Sequence, residues 1–154
     1  MDLILWRHAE AEDGHPKGDL ARALTKRGRK QAQKMAEWLK PRLEGEWRVV
    51  ASPAARTRQT VEPLGAEFEV SDALAPGASP RALLKEAGWP SAATNVLVVG
   101  HQPTLGEVAA QLLRSDTGDV SMRKGAVWWF STRERDGKVE VVLKAVVDPE
   151  MAAE

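Results

Sequence analysis

The chain has 154 residues, 43% hydrophobic and 29% charged, with Lys+Arg and Asp+Glu both at 22. That length suits one domain, expected over 1–154, burying roughly 70% of the surface its unfolded form exposes. Cysteine is absent, which excludes disulfides, thiolate nucleophiles and cysteine-ligated metal, and the balanced charge gives no bulk signal for nucleic acid or a membrane surface.

No apolar run reaches the roughly eighteen residues of a membrane-spanning helix. A strand starting at Asp2 leaves no room for a basic leader and cleavable signal, so a cytoplasmic location is expected. The three histidines stand far apart in sequence, so no metal site is expected, and no cofactor is called for.

Leu3-Ile4-Leu5-Trp6 reads as a strand buried on both faces, broken off by Arg7-His8-Ala9-Glu10. Ala11–Ala23 has no period and reads as a long loop. Thr25 is a helix cap, and Ala32, Met35, Ala36, Leu39 and Leu43 form one apolar stripe that Pro41 ends near Lys40. Trp47–Ala51 is a second strand. Ser52-Pro53 reads as a helix start, with serine as cap and proline at the first helical position. That helix stops around Pro63-Leu64-Gly65, and Ala66–Val70 is a third, edge strand.

About two dozen residues from Ser71 to Thr94 hold one helix, Pro80–Ala87. Asn95–Gly100 is the clearest strand, and His101 follows it directly. Pro103 opens a helix carrying Leu105, Val108, Ala109 and Leu112. Ala126–Thr132 and Lys138–Val147, joined through Asp136-Gly137, read as a hairpin that puts Trp128 and Trp129 on opposite faces. The pattern predicts a three-layer α/β/α sandwich with a mostly parallel sheet and a C-terminal antiparallel hairpin.

In such a sheet the carboxyl ends of the first, second and fourth strands can lie side by side. Arg7 and His8, Ser52 to Arg56, and His101 would then share one edge, where open α/β sheets bind ligands. Arginine forks and helix amino termini favour phosphate oxygens. Neutral imidazole is a nucleophile near pH 7, and surrounding cations hold it neutral. Phosphoryl transfer onto His8 and hydrolysis by water would need no metal.

Arg7-His8-Ala9-Glu10, Leu24–Ala32, Ser52–Thr60 and Gly100-His101 resemble, in order, the motifs of the histidine phosphatase (phosphoglycerate mutase-like) superfamily. The resemblance implies that fold, His8 as the phosphorylated nucleophile, and Arg7, Arg56 and His101 as phosphate-binding residues. Ala9 stands where many members have glycine. Many members also carry a carboxylate donor between the third and fourth strands, where this chain offers only Asp72 and Glu86. The short chain, Arg-His-Ala-Glu-Ala, and the Asp19–Thr25 lead-in resemble the SixA-like phosphohistidine phosphatases, which lack that donor.

A protonated phosphohistidine releases neutral imidazole with little help, whereas an alkoxide needs a general acid. The expected activity is therefore dephosphorylation of a phosphohistidine on a signalling or phosphorelay protein by a monomer. Alternatives are a phosphatase for small phosphomonoesters and a phosphoprotein-binding module without turnover. Arg22 can reach the anion or form a surface ion pair. Glu10, Glu12 and Asp13 are candidate proton donors or a solvated acidic loop. His15 is expected to be exposed, Arg58 to face away, and Gln59 and Thr60 to pack or cap.

Overall fold

A computed structural model describes residues 1–152. Six strands form one sheet in the order β3-β2-β4-β1-β5-β6. They are β1 (Asp2–Arg7), β2 (Trp47–Ala51), β3 (Glu69–Val70), β4 (Asn95–Gly100), β5 (Val127–Arg135) and β6 (Lys138–Val147). The first four run parallel to one another, and β5 pairs antiparallel with both β1 and β6. The helices are α1 (Lys26–Leu39), α2 (Ala55–Val61), α3 (Pro80–Ala87) and α4 (Thr104–Leu112).

Strand alternation divides the core between the two faces. Leu3 and Leu5 pack with Val96, Val98 and Phe130 beneath α3 and α4. Ile4 and Trp6 pack with Leu97, Val99 and Trp129 beneath α1 and α2. Leu3 through Trp6 are fully buried, each such side chain contributing roughly 1.5–3 kcal/mol. The three-layer sandwich is thus present, with Trp128 and Trp129 on opposite faces as expected.

Thr25 caps α1, its hydroxyl accepting from the Gly28 N–H at 3.0 Å. Gly28 is required by packing, because a Cβ there would collide with the Glu10 carbonyl oxygen. The hairpin turn has Asp136 and Gly137 at φ 52° and 75°, the pair of left-handed residues of a type I′ turn.

Three expectations need correction. The Ala11–Ala23 loop contains a 3₁₀ turn, Asp19–Ala21, that carries Asp19 towards α2. The third strand is only Glu69–Val70, while Phe68 packs with the α1 side of the core. Ser52-Pro53 does not start α2, which begins at Ala55 without a side-chain cap, because the Ser52 hydroxyl is drawn inward to His101 and Thr57.

Among the described residues, no helix is long and apolar enough to cross a membrane, and no group of three His, Cys, Asp or Glu is placed to hold a metal.

Candidate active site

With β1 lying beside β4, and β4 beside β2, the three strand ends meet. The parallel ladder runs one residue past the strands, the His8 N–H donating to Gly100 O at 3.1 Å and the Ser52 N–H to Val99 O at 3.1 Å. Arg7, His8, Asp13, Arg22, Arg56 and His101 line one cavity of about 240 Å³. Larger hollows lie along Arg123–Asp148 and at the hairpin end, and neither is lined by a histidine.

His8 is held from both sides. Its Nδ1 is 2.7 Å from the Ala9 carbonyl oxygen, which can only accept, so the ring is protonated at Nδ1 and has its lone pair on Nε2. The Ala9 N–H donates to Thr60 Oγ1 at 3.0 Å, and Thr60 donates to Arg56 O at 2.7 Å. The Glu10 N–H donates to Gln31 Oε1, and the Leu24 N–H to Gln59 Oε1. On the opposite side, the Gly125 N–H donates to His8 O at 3.0 Å, and Arg7 Nη1 donates to Met122 O at 2.6 Å. Thr60 and Gln31 therefore fix the segment after β1, Gln59 ties down Leu24 ahead of α1, and the Met122–Gly125 wall had no sequence signal.

Burial pushes the His8 ring down to about 4, helped by Arg56, Arg7 and Arg22 against the opposing Ala9 bond. His101 is pushed down to about 3 by burial, then by His8 and Arg56. The two rings are 5.3 Å apart, and both are neutral at pH 7. Arg56, only 4% exposed, is fixed by Asp19, its Nη1 donating to the backbone oxygen at 2.9 Å and Nη2 lying 3.1 Å from Oδ2. Arg22 Nη1 meets the other Asp19 oxygen at 2.9 Å, and both arginines hold that carboxyl below the usual carboxylate range. Among the described residues, Arg7 Nε and Arg56 Nε are buried without a hydrogen-bond partner. Such a set suits a tetrahedral oxyanion and opposes a cation.

The structure brings together Arg7, His8, Arg56 and His101. Arg22 forms the expected ion pair with Asp19 and also lines the cavity. Of the three candidate acids only Asp13 reaches the cavity. Glu10 turns to Thr25 and Arg27, and Glu12 accepts from the Ala23 N–H. Glu86 is engaged by Arg48 and Ser71, while Asp72 opens a 3₁₀ turn, and neither lines the cavity. His15 is half-buried rather than exposed, its Nδ1 accepting from the Lys17 N–H, and Arg58 is exposed. Asp19 was missed because Arg56, which it fixes, lies 37 residues along the chain.

Comparison with known proteins points the same way. The family model for the histidine phosphatase superfamily (branch 1) matches residues 3–77. The phosphohistidine phosphatase SixA homolog of Haemophilus influenzae is 30% identical over 131 residues, covering 73% of this chain and 77% of the relative. Phosphohistidine phosphatase SixA of Escherichia coli is 31% identical over 130 residues, covering 76% and 77%. The structure of the protein histidine phosphatase SixA complexed with tungstate superposes with a TM-score of 0.76 at 27% identity, covering 97% of each chain. Sequence motifs, sheet order and these likenesses agree, and the chain belongs to the histidine phosphatase superfamily, in its SixA-like branch.

Proposed function

We propose that the protein is a phosphohistidine phosphatase that removes the phosphoryl group from a phosphorylated histidine on a signalling or phosphorelay protein, through a phosphohistidine of its own on His8. The observation that carries this is the Nδ1–Ala9 bond, which leaves a neutral Nε2 lone pair on a ring lining the same cavity as Arg7 and Arg56.

In the first step, His8 Nε2 attacks phosphorus, the N–P bond forms, and the substrate's imidazole leaves with the electron pair of its own N–P bond. Arg7 and Arg56 balance the charge on the equatorial oxygens. In the second step, water forms the new O–P bond, the His8 N–P bond breaks with its electron pair returning to Nε2, and the water protons leave with the product as dihydrogen phosphate. The arginines supply the positive charge, so the scheme asks for no metal. A substrate imidazole already protonated on its other nitrogen leaves neutral, which fits a cavity lined, among the described residues, by a single acid, Asp13. Such a substrate would place the enzyme in the cytoplasm.

Asp13 also supports a second reading, hydrolysis of small phosphomonoesters with Asp13 protonating the alcohol. The test is turnover of a phosphohistidine-bearing phosphotransfer protein against a panel of sugar and nucleotide phosphates. The proposal expects kcat/KM on the protein to exceed that on every ester by at least about a hundredfold, the order of a general-acid contribution. An ester turned over equally well would overturn it.

A further inference from the structure

His101 is held through one nitrogen only. Its Nε2 lies 2.7 Å from Ser52 Oγ, whereas Nδ1 is buried without a partner among the described residues. Ser52 Oγ also accepts the Ala54 N–H at 3.1 Å and lies 2.9 Å from Thr57 Oγ1. Thr57 Oγ1 in turn lies 2.9 Å from the carbonyl oxygens of both Ser52 and Ala54. Ser52 and Thr57 are fully buried, out of reach of bulk solvent.

Counting protons gives the chain a direction. The two carbonyls can only accept, so the single Thr57 proton goes to them, and Thr57 must accept from Ser52. With its proton committed to Thr57, Ser52 accepts from Ala54 and from His101. The neutral His101 ring therefore carries its proton on Nε2 and leaves a lone pair on Nδ1. Burying a bare acceptor also costs less than burying an orphaned N–H.

A lone pair cannot donate to a phosphoryl oxygen. We propose that Ser52 and Thr57 are positioning residues that hold His101 in this tautomer, so that it binds the phosphoryl group through Nδ1 only by taking up a proton. Oxyanion binding is then linked to protonation of His101, and loss of that proton favours product release. The groups facing the ring are His8, Arg7, Arg56 and Asp19, with Arg22, Asp13 and Lys124 further round the cavity. The cations keep His101 neutral when the cavity holds no anion, and an arriving dianion offsets them. The inference rests on reading the cavity as a phosphoryl site, without depending on the substrate's identity.

The test uses the full chain, ¹⁵N-labelled at its three histidines, with sulfate as a tetrahedral dianion that brings no proton of its own at pH 7. In the free protein the ring-nitrogen shifts should report His101 protonated on Nε2 alone, and on both nitrogens once sulfate is added. Calorimetry in buffers of differing ionisation enthalpy should find uptake of about one proton per sulfate. Thr57→Val removes the acceptor for the Ser52 proton and turns it onto His101 Nε2, so uptake should fall to near zero while sulfate still binds. The inference is overturned by His101 protonated on Nδ1 in the free protein, by no sulfate binding, by binding without uptake, or by uptake on His8. Should Thr57→Val fail to fold, the wild-type spectra decide. Phosphatase activity without proton uptake would sink this inference alone, and uptake without activity would sink the proposed function alone.

Discussion

Asp19 lies across the guanidinium of Arg56, receiving Nη1 on its backbone oxygen and meeting Nη2 through its carboxylate 3.1 Å away. The carboxylate thus occupies a donor of the kind a phosphoryl oxygen needs. Asp19→Asn keeps the backbone contact and removes the competing charge. An ion pair with an exposed partner is worth at most about 1 kcal/mol, so inhibition by inorganic phosphate should tighten by up to about fivefold. Weaker inhibition would mean that Asp19 orders Arg56 more than it competes for it.

Thr60 couples the segment of the proposed nucleophile, His8, to α2, accepting from the Ala9 N–H and donating to Arg56 O. Thr60→Val leaves the Ala9 N–H buried and unpaired, which costs about 1–3 kcal/mol. Urea unfolding should show that loss, and kcat should fall about tenfold or more as the His8 ring loses its fixed carbonyl. Thr60→Ser should restore both.

The two depressed rings set a pH dependence of stability. His8 and His101 sit at about 4 and about 3 when folded, against about 6.5 unfolded. Between those values the unfolded chain binds protons that the folded chain refuses, so stability is complete above pH ~6.5 and falls as pH drops through the folded values. The full effect is roughly 3 kcal/mol for His8 and roughly 5 kcal/mol for His101. The stabilised carboxylates, Asp2, Glu69 and Glu86 among them, lose their contribution only below about pH 4, which leaves the window above it to the histidines. Denaturant midpoints should decline from pH 6.5 to 4.5, and His101→Asn should flatten part of that decline. An unchanged slope would place the protons elsewhere.

Asp13 separates the two substrate readings. Under the proposed function, Asp13→Asn leaves turnover of a phosphohistidine protein within about twofold and lowers any activity on phosphate esters by about a hundredfold. A comparable loss on both substrates would make Asp13 a general acid for the main reaction.

Much of the architecture was legible because it rests on local patterns. The Leu3–Trp6 and Val96–Val99 runs announce strands buried on both faces, and Asp136-Gly137 announces its turn type. That Arg7, His8, Arg56 and His101 meet at one cavity was legible through motif order and their place after strand ends. Side chains whose local preference yields to a distant partner were misread. Ser52 has the composition of a cap, yet its hydroxyl serves His101, 49 residues away. Thr60 and Gln59 look like helix filler until their bonds to Ala9 and Leu24 close across the fold. Glu10, two residues past His8, is withdrawn by Thr25 at the cap of α1, which sequence proximity alone cannot show.

The central claim is that Nε2 of His8 carries the phosphoryl group. Rapid mixing with a phosphohistidine substrate labelled on phosphorus, quenched in base and mapped by mass spectrometry, tests it most directly. The account expects one acid-labile, base-stable phosphate on His8, attached at Nε2 because Nδ1 is committed to Ala9, and none in His8→Ala, whose turnover should fall by at least about a thousandfold. Label on His101 or on no residue at all, or a His8→Ala variant that keeps most of its activity, would contradict it.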